Sequence, residues 1–72
     1  MTPAQWTALA IGNGVNIHVF FDAVASVNPS GIRATVVGQP TAANGQLVRL
    51  LNRDTGSVMA VSLTQIQAVT IP

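Results

Sequence analysis

Residues 47–61 read Leu47-Val48-Arg49-Leu50-Leu51-Asn52-Arg53-Asp54-Thr55-Gly56-Ser57-Val58-Met59-Ala60-Val61, and the fold is decided there. Two apolar runs flank Arg53-Asp54-Thr55-Gly56, a four-residue segment rich in the residue types that tight hairpin turns demand. Each run alternates with period two. In the first, Leu47 and Leu51 flank Arg49 on one face while Val48 and Leu50 occupy the other. In the second, Met59 and Val61 oppose Val58 and Ala60. These are two strands of an antiparallel hairpin, apolar on both faces. Strands of that kind are buried on both faces, which predicts subunit contact, including edge-to-edge strand pairing, with a helix-covered face in a monomer as the alternative.

Working toward the N-terminus, Gly38 to Gly45 holds Pro40 and Asn44-Gly45 and reads as a longer hairpin loop. Ile32 to Val37 alternates again, with Arg33 and Thr35 opposite Ile32, Ala34 and Val36. Asn28-Pro29-Ser30-Gly31 is a turn with proline and glycine at favoured positions. Before it, Val15, Ile17, Val19 and Phe21 point one way and Asn16, His18, Phe20 and Asp22 the other. Thr2-Pro3-Ala4-Gln5 is a capping box with proline at the first helical position. Trp6, Leu9 and Ala10 follow at helical spacing, and Gly12-Asn13-Gly14 predicts the stop. A helix of two to three turns is too short to persist alone, so it docks.

Toward the C-terminus, Leu63-Thr64-Gln65-Ile66 suits a single 3₁₀ turn, and Ala68 to Ile71 makes a fifth strand ended by Pro72. The expectation is one mainly β domain over residues 1–72. It has a short N-terminal helix followed by a five-stranded, strongly bent, partly open SH3-like barrel. A flat sheet covered by the helix is the alternative.

Composition limits what this domain does. Five charged residues are present, Arg33, Arg49, Arg53, Asp22 and Asp54, and they make up 7% of the chain against 49% hydrophobic residues. An ordinary soluble domain carries about a quarter charged residues, so much of the surface here is either uncharged polar or covered by neighbouring subunits. The pI near 9.3 rests on one excess arginine and is no nucleic-acid signature. With no cysteine, disulfides, thiolate metal sites and cysteine nucleophiles are excluded together. A chain of 72 residues buries only about 60% of its unfolded surface, and its core needs idealised packing or a partner subunit. The apolar runs are interrupted by Asn13, Asn16, His18 and Asp22, well short of the ~18 residues of a membrane span. No secretory signal follows Met1, so the expected location is the cytoplasm, or a host cytoplasm or virion if the chain is phage-encoded.

A helix followed by five bent strands, with a tight connection between the fourth and fifth, resembles the Sm/LSm fold. Leu47-Val48-Arg49-Leu50-Leu51-Asn52, Ser57-Val58-Met59-Ala60-Val61, Ile66 and Ala68-Val69-Thr70-Ile71-Pro72 are similar to strands three to five of the bacterial Sm-like RNA chaperone family. Val15 to Phe21 stands where that family has its first strand, after a helix bearing Trp6. The resemblance implies a small barrel and a ring of subunits. It does not carry over uridine recognition: the family's Lys-His pair falls at Leu63 and Thr64 here, and the Arg-Gly step of the eukaryotic and archaeal members is missing. Their Asn before the third strand is matched only loosely, by Asn44 or Gln46.

The site reading follows from the same economy of charge. His18 and Asp22 share a strand face but lie about 13 Å apart along a straight strand, too far to pair with each other or to serve Ser26 as a catalytic unit. His18 reads as a surface or interface histidine, and one histidine with two scattered aspartates makes a poor metal site. Asp54 reads as a turn residue, Gly12-Asn13-Gly14 lacks the spacing and lysine of a phosphate loop, and no enzyme, cofactor or small-molecule substrate is expected. The candidate nucleic-acid-binding residues are Arg53, Arg49, Arg33 and Phe20, with the arginines multiplied around a ring and the phenylalanine available for base stacking. Two functions follow. One is a ring-forming Sm-like module with weak single-stranded RNA or DNA binding. The other is a purely structural oligomeric assembly protein, such as a small phage virion component.

Overall fold

The computed structural model describes residues 1–22 and 31–72. The turn expected at residues 28–30, and Ser26, lie outside the described residues. Helix α1 spans Pro3–Leu9 and is followed by strands β1 (Asn16–Phe21), β2 (Gly31–Gly38), β3 (Leu47–Asn52), β4 (Val58–Ser62) and β5 (Ile66–Thr70). Two 3₁₀ turns, Ala42–Asn44 and Leu63–Gln65, sit in the β2–β3 and β4–β5 connections. The strands form one antiparallel sheet in the order β4-β3-β2-β1-β5. β4 and β5 are its two edges and are not hydrogen-bonded to each other.

α1 begins as the capping box predicts. Thr2 accepts from the backbone N–H of Gln5 (3.1 Å), and the Gln5 side chain accepts from that of Thr2 (2.8 Å). It stops earlier than the glycines suggest, because Ala10 takes the left-handed conformation (φ 53°) and returns its N–H to Thr7. The backbone nitrogen of Met1 donates to the carbonyls of Leu63 (2.9 Å) and Ile66 (2.7 Å), joining the start of the helix to the β4–β5 connection.

Period-two alternation sorts the strands cleanly. The core is Trp6, Ile11, Ile17, Val19, Ala34, Val36, Val48, Leu50, Val61, Leu63 and Ile66, every one an inward position or a residue that closes an end. No polar side chain is buried among the described residues. Buried polar side chains therefore do not specify this fold. Apolar volume and the ladders do.

Trp6 anchors the helix end of the core. It is 4% exposed, and its indole N–H donates to the Gln39 side chain (2.9 Å). The Gln39 amide in turn donates to the Ile11 carbonyl and the Asn13 side chain, both at 3.0 Å. One glutamine thus satisfies the indole and fixes the chain leaving the helix. The helix covers that end of the sheet and leaves the other face of β3 and β4 open: Leu47 and Leu51 are half-buried, and Val58 is 52% exposed. The expected burial of these strands on both faces is therefore not achieved within one chain.

Candidate nucleic-acid interface

The outer face of the sheet is ordered by register. His18 on β1 stands opposite Arg33 on β2 and, across the other ladder, opposite Thr70 on β5. Two residues along, Phe20 stands opposite Gly31 and Ala68. Because side chains alternate strictly, His18, Phe20 and Arg33 share this face, while Ile17, Val19 and Ala34 point into the core.

The β3–β4 turn supplies the rest. The N–H of Arg53 donates to the Arg33 carbonyl (2.9 Å), which extends the β2–β3 ladder by one pair and brings the turn beside Arg33. Asn52 accepts from the backbone N–H groups of Asp54 (2.9 Å) and Thr55 (3.3 Å), so its side chain shapes the turn. Asp54 then reaches back to Arg33 and forms a salt bridge, with Nε of Arg33 donating to Oδ1 at 3.2 Å and the second guanidinium contact closer still. The hydrogen bond from Arg33 holds the Asp54 carboxyl below the usual carboxylate range; desolvation opposes it, and the charges of Arg33, Arg53 and His18 add to the lowering. The bond likewise raises Arg33 above its ordinary value. Both side chains are well exposed, so the pair shapes the charge pattern of the face more than it stabilises the fold.

Of the four residues expected to bind nucleic acid, Arg33 and Arg53 are cross-strand neighbours at one end of this face, Arg33 being the one engaged by a carboxylate. Phe20 lies two strands from Arg53 and one residue pair along, beside His18. Arg49 stands apart, roughly 13 Å along β3 from Arg53. Its aliphatic stem lies over Gly38, where a Cβ would come within 3.1 Å of the Arg49 Cβ. The long side chain covers bare backbone and carries its charge outward.

His18, expected as a surface or interface residue, also lies on this face. Its ring packs on Phe20 with centroids 4.5 Å apart and planes tilted by 33°. The pair sits on Gly31, and a Cβ there would approach His18 Nε2 and the edge of the Phe20 ring to 3.0 Å. The signal was present in the sequence as His-x-Phe on one strand face. Only the register, which sets a glycine opposite Phe20, makes it a seated pair. Asp22 follows the end of β1, two residues beyond Phe20, and its N–H donates to the Gln65 carbonyl (3.0 Å).

Concavities flank the sheet among the described residues. One of about 250 Å³ lies between α1 and the β2–β3 connection, lined by Pro3, Trp6, Thr7, Ala10, Gln39 and Gln46 among others, with no ionisable side chain. The other, about 400 Å³, is lined by Phe21, Asp22, Thr64 and Gln65. Among the described residues, no three His, Cys, Asp or Glu side chains cluster as metal ligands, and no helix is long and apolar enough to cross a membrane. Comparison with known proteins finds no matching family model, no matching curated protein and no matching solved structure.

Proposed function

We propose that this protein is a non-enzymatic, Sm-like assembly module that forms a homo-oligomeric ring, with a modest capacity for single-stranded nucleic acid on the outer face of its sheet. The observation that carries the assembly is the pair of open edges. Among the described residues, β4 (Val-Met-Ala-Val-Ser) and β5 (Ile-Gln-Ala-Val-Thr) each have one hydrogen-bonded neighbour, and neither contains a charged residue or a proline. Proteins that remain monomeric blunt such edges with lysine, proline or a cover.

The ladder shows what β4 offers. Asn52 donates to Ser57 (2.8 Å) and Leu63 donates to Gln46 (3.2 Å), and both bonds fit one alternating antiparallel pattern. In that pattern Met59 and Val61 bond β3, while Val58, Ala60 and Ser62 present N–H and C=O groups outward. Pairing β4 of one copy with β5 of the next uses two different surfaces, and such head-to-tail contacts close into rings. The contact would also cover Val58. We further infer that the sheet coils into a partly open barrel. The Leu63–Gln65 turn supports this, since its backbone bonds reach the approach to β3 through Gln46 and the end of β1 through Asp22.

Light scattering coupled to size exclusion at micromolar concentration tests the assembly. Wild type is expected as a discrete oligomer, with Val58→Lys and Ala60→Pro shifted toward monomer. A wild-type mass near 7.4 kDa would defeat the reading.

A purely structural assembly protein, such as a small virion component, is the second reading. It is favoured by Asp54, which ties up Arg33 and leaves Arg49 and Arg53 as the arginines outside a salt bridge among the described residues.

A further inference from the structure

We propose that His18 and Phe20 together form a stacking platform for an unpaired nucleobase, with the adjoining phosphate held by Arg53 beside it. The proposal rests on the nucleic-acid reading above and adds a residue, a ligand class and a division of labour to it.

Three observations converge on this pair. The rings are already packed against each other at 4.5 Å, so most of the cost of ordering them is met before any ligand arrives. They lie on Gly31, the one strand position of β2 whose missing side chain leaves room for both. Both rings remain half-buried, on a sheet face that α1 does not cover. Core aromatics do not need such a seat, and an isolated surface aromatic does not acquire one.

The surroundings select the occupant. Across β2, His18 faces Arg33; the β3–β4 turn adds Arg53 and Asp54; Asp22 follows the end of β1, four residues from His18 and two from Phe20; and β5 contributes only the neutral Thr70 and Ala68. Arg33 and Asp54 neutralise one another, which leaves Arg53 as the arginine outside a salt bridge on the His18 side, with Asp22 beyond Phe20 at the other. A planar, polarisable surface beside one such arginine fits one base and one phosphate. It fits an apolar protein surface poorly, because the charged turn would have to be desolvated. Stacking tolerates every base, so no sequence preference is expected.

The test compares a short labelled oligothymidine with an abasic phosphodiester of the same length, by fluorescence polarisation on the full-length oligomer at low salt. Wild type is expected to prefer the oligothymidine by about five- to hundredfold, the range one base–aromatic stack supplies. His18→Ala and Phe20→Ala should bind both probes at the abasic level with an unchanged salt slope. Gly31→Leu retains both rings and every charge, and should lose the same preference because its side chain fills the seat on which the rings lie. Arg53→Glu should weaken both probes and flatten the salt dependence. Equal wild-type affinity for the two probes overturns the platform and leaves the charge-based reading standing. Full preference in Gly31→Leu, or loss of oligomer mass in Phe20→Ala, also overturns it, the latter by assigning the rings to subunit contact. Binding of neither probe overturns the platform and the nucleic-acid reading together.

Discussion

Replacing Trp6 with alanine probes how far this small fold depends on its helix. The indole is 4% exposed, so nearly all of its roughly 150–250 Å² is removed from water. At about 25 cal/mol per Å² that burial is worth about 4–6 kcal/mol, an upper figure because the unfolded chain already hides some of it. Measured truncations of buried aromatics cost about 3–5 kcal/mol. The substitution also strips the Gln39 side-chain oxygen of its donor while its amide stays tied to Ile11 and Asn13. A domain of this length has about 4–11 kcal/mol in total, so Trp6→Ala is expected to leave the chain unfolded or nearly so. Trp6→Phe separates the two contributions. It keeps most of the apolar volume and loses the hydrogen bond, for an expected cost of about 1–3 kcal/mol. Urea denaturation followed by circular dichroism, at one fixed protein concentration because oligomerisation shifts apparent stability, measures both. A loss below about 1 kcal/mol for Trp6→Ala would refute the reasoning. It would mean that the helix docks loosely and the sheet holds itself together.

Leu50→Ala, at a fully buried position of the interior strand β3, should cost about 2–5 kcal/mol in the same denaturation assay, while Leu51→Ala on the opposite face should cost less than half as much. Gly56→Ala should cost about 1–2 kcal/mol, because Gly56 has φ +78° with open space around it, so the penalty is purely conformational. The Asp54 carboxyl is held low by Arg33, so its contribution is present above the ordinary carboxylate value of about 3.9 and is lost as pH falls through the lower folded value. The small stability difference between wild type and Asp54→Asn should therefore begin to shrink near pH 4 and vanish only below the lower folded value, and a difference that did not shrink as pH fell would assign Asp54 a role other than charge. Val58→Lys should lower the oligomer mass seen by light scattering while leaving the circular dichroism spectrum of the strands intact, since Val58 is half exposed on a free edge.

The sequence by itself determined the elements and their faces. Thr2, Pro3 and Gln5 started the helix, and Arg53 to Gly56 made the β3–β4 turn. The alternation through Ile17 and Val19, Ala34 and Val36, Val48 and Leu50 named the core, because a strand's side-chain period is two whatever it pairs with. These are local preferences, set by residues a few positions apart. The helix end escaped that logic. Ala10 adopts left-handed geometry ahead of the glycines, and the Gln39 contacts to Trp6, Ile11 and Asn13 pass close by. Only the tertiary structure decided which faces stay open and which residues meet across strands. Register brought His18 and Phe20 onto Gly31, and the same ladder set Arg33 against Asp54 while Arg49 remained apart. Such meetings depend on pairing between residues 11 to 52 positions apart in the chain. A slip of one residue would have turned every one of these side chains to the other face, and no local pattern in a single strand reports which register its neighbour will choose.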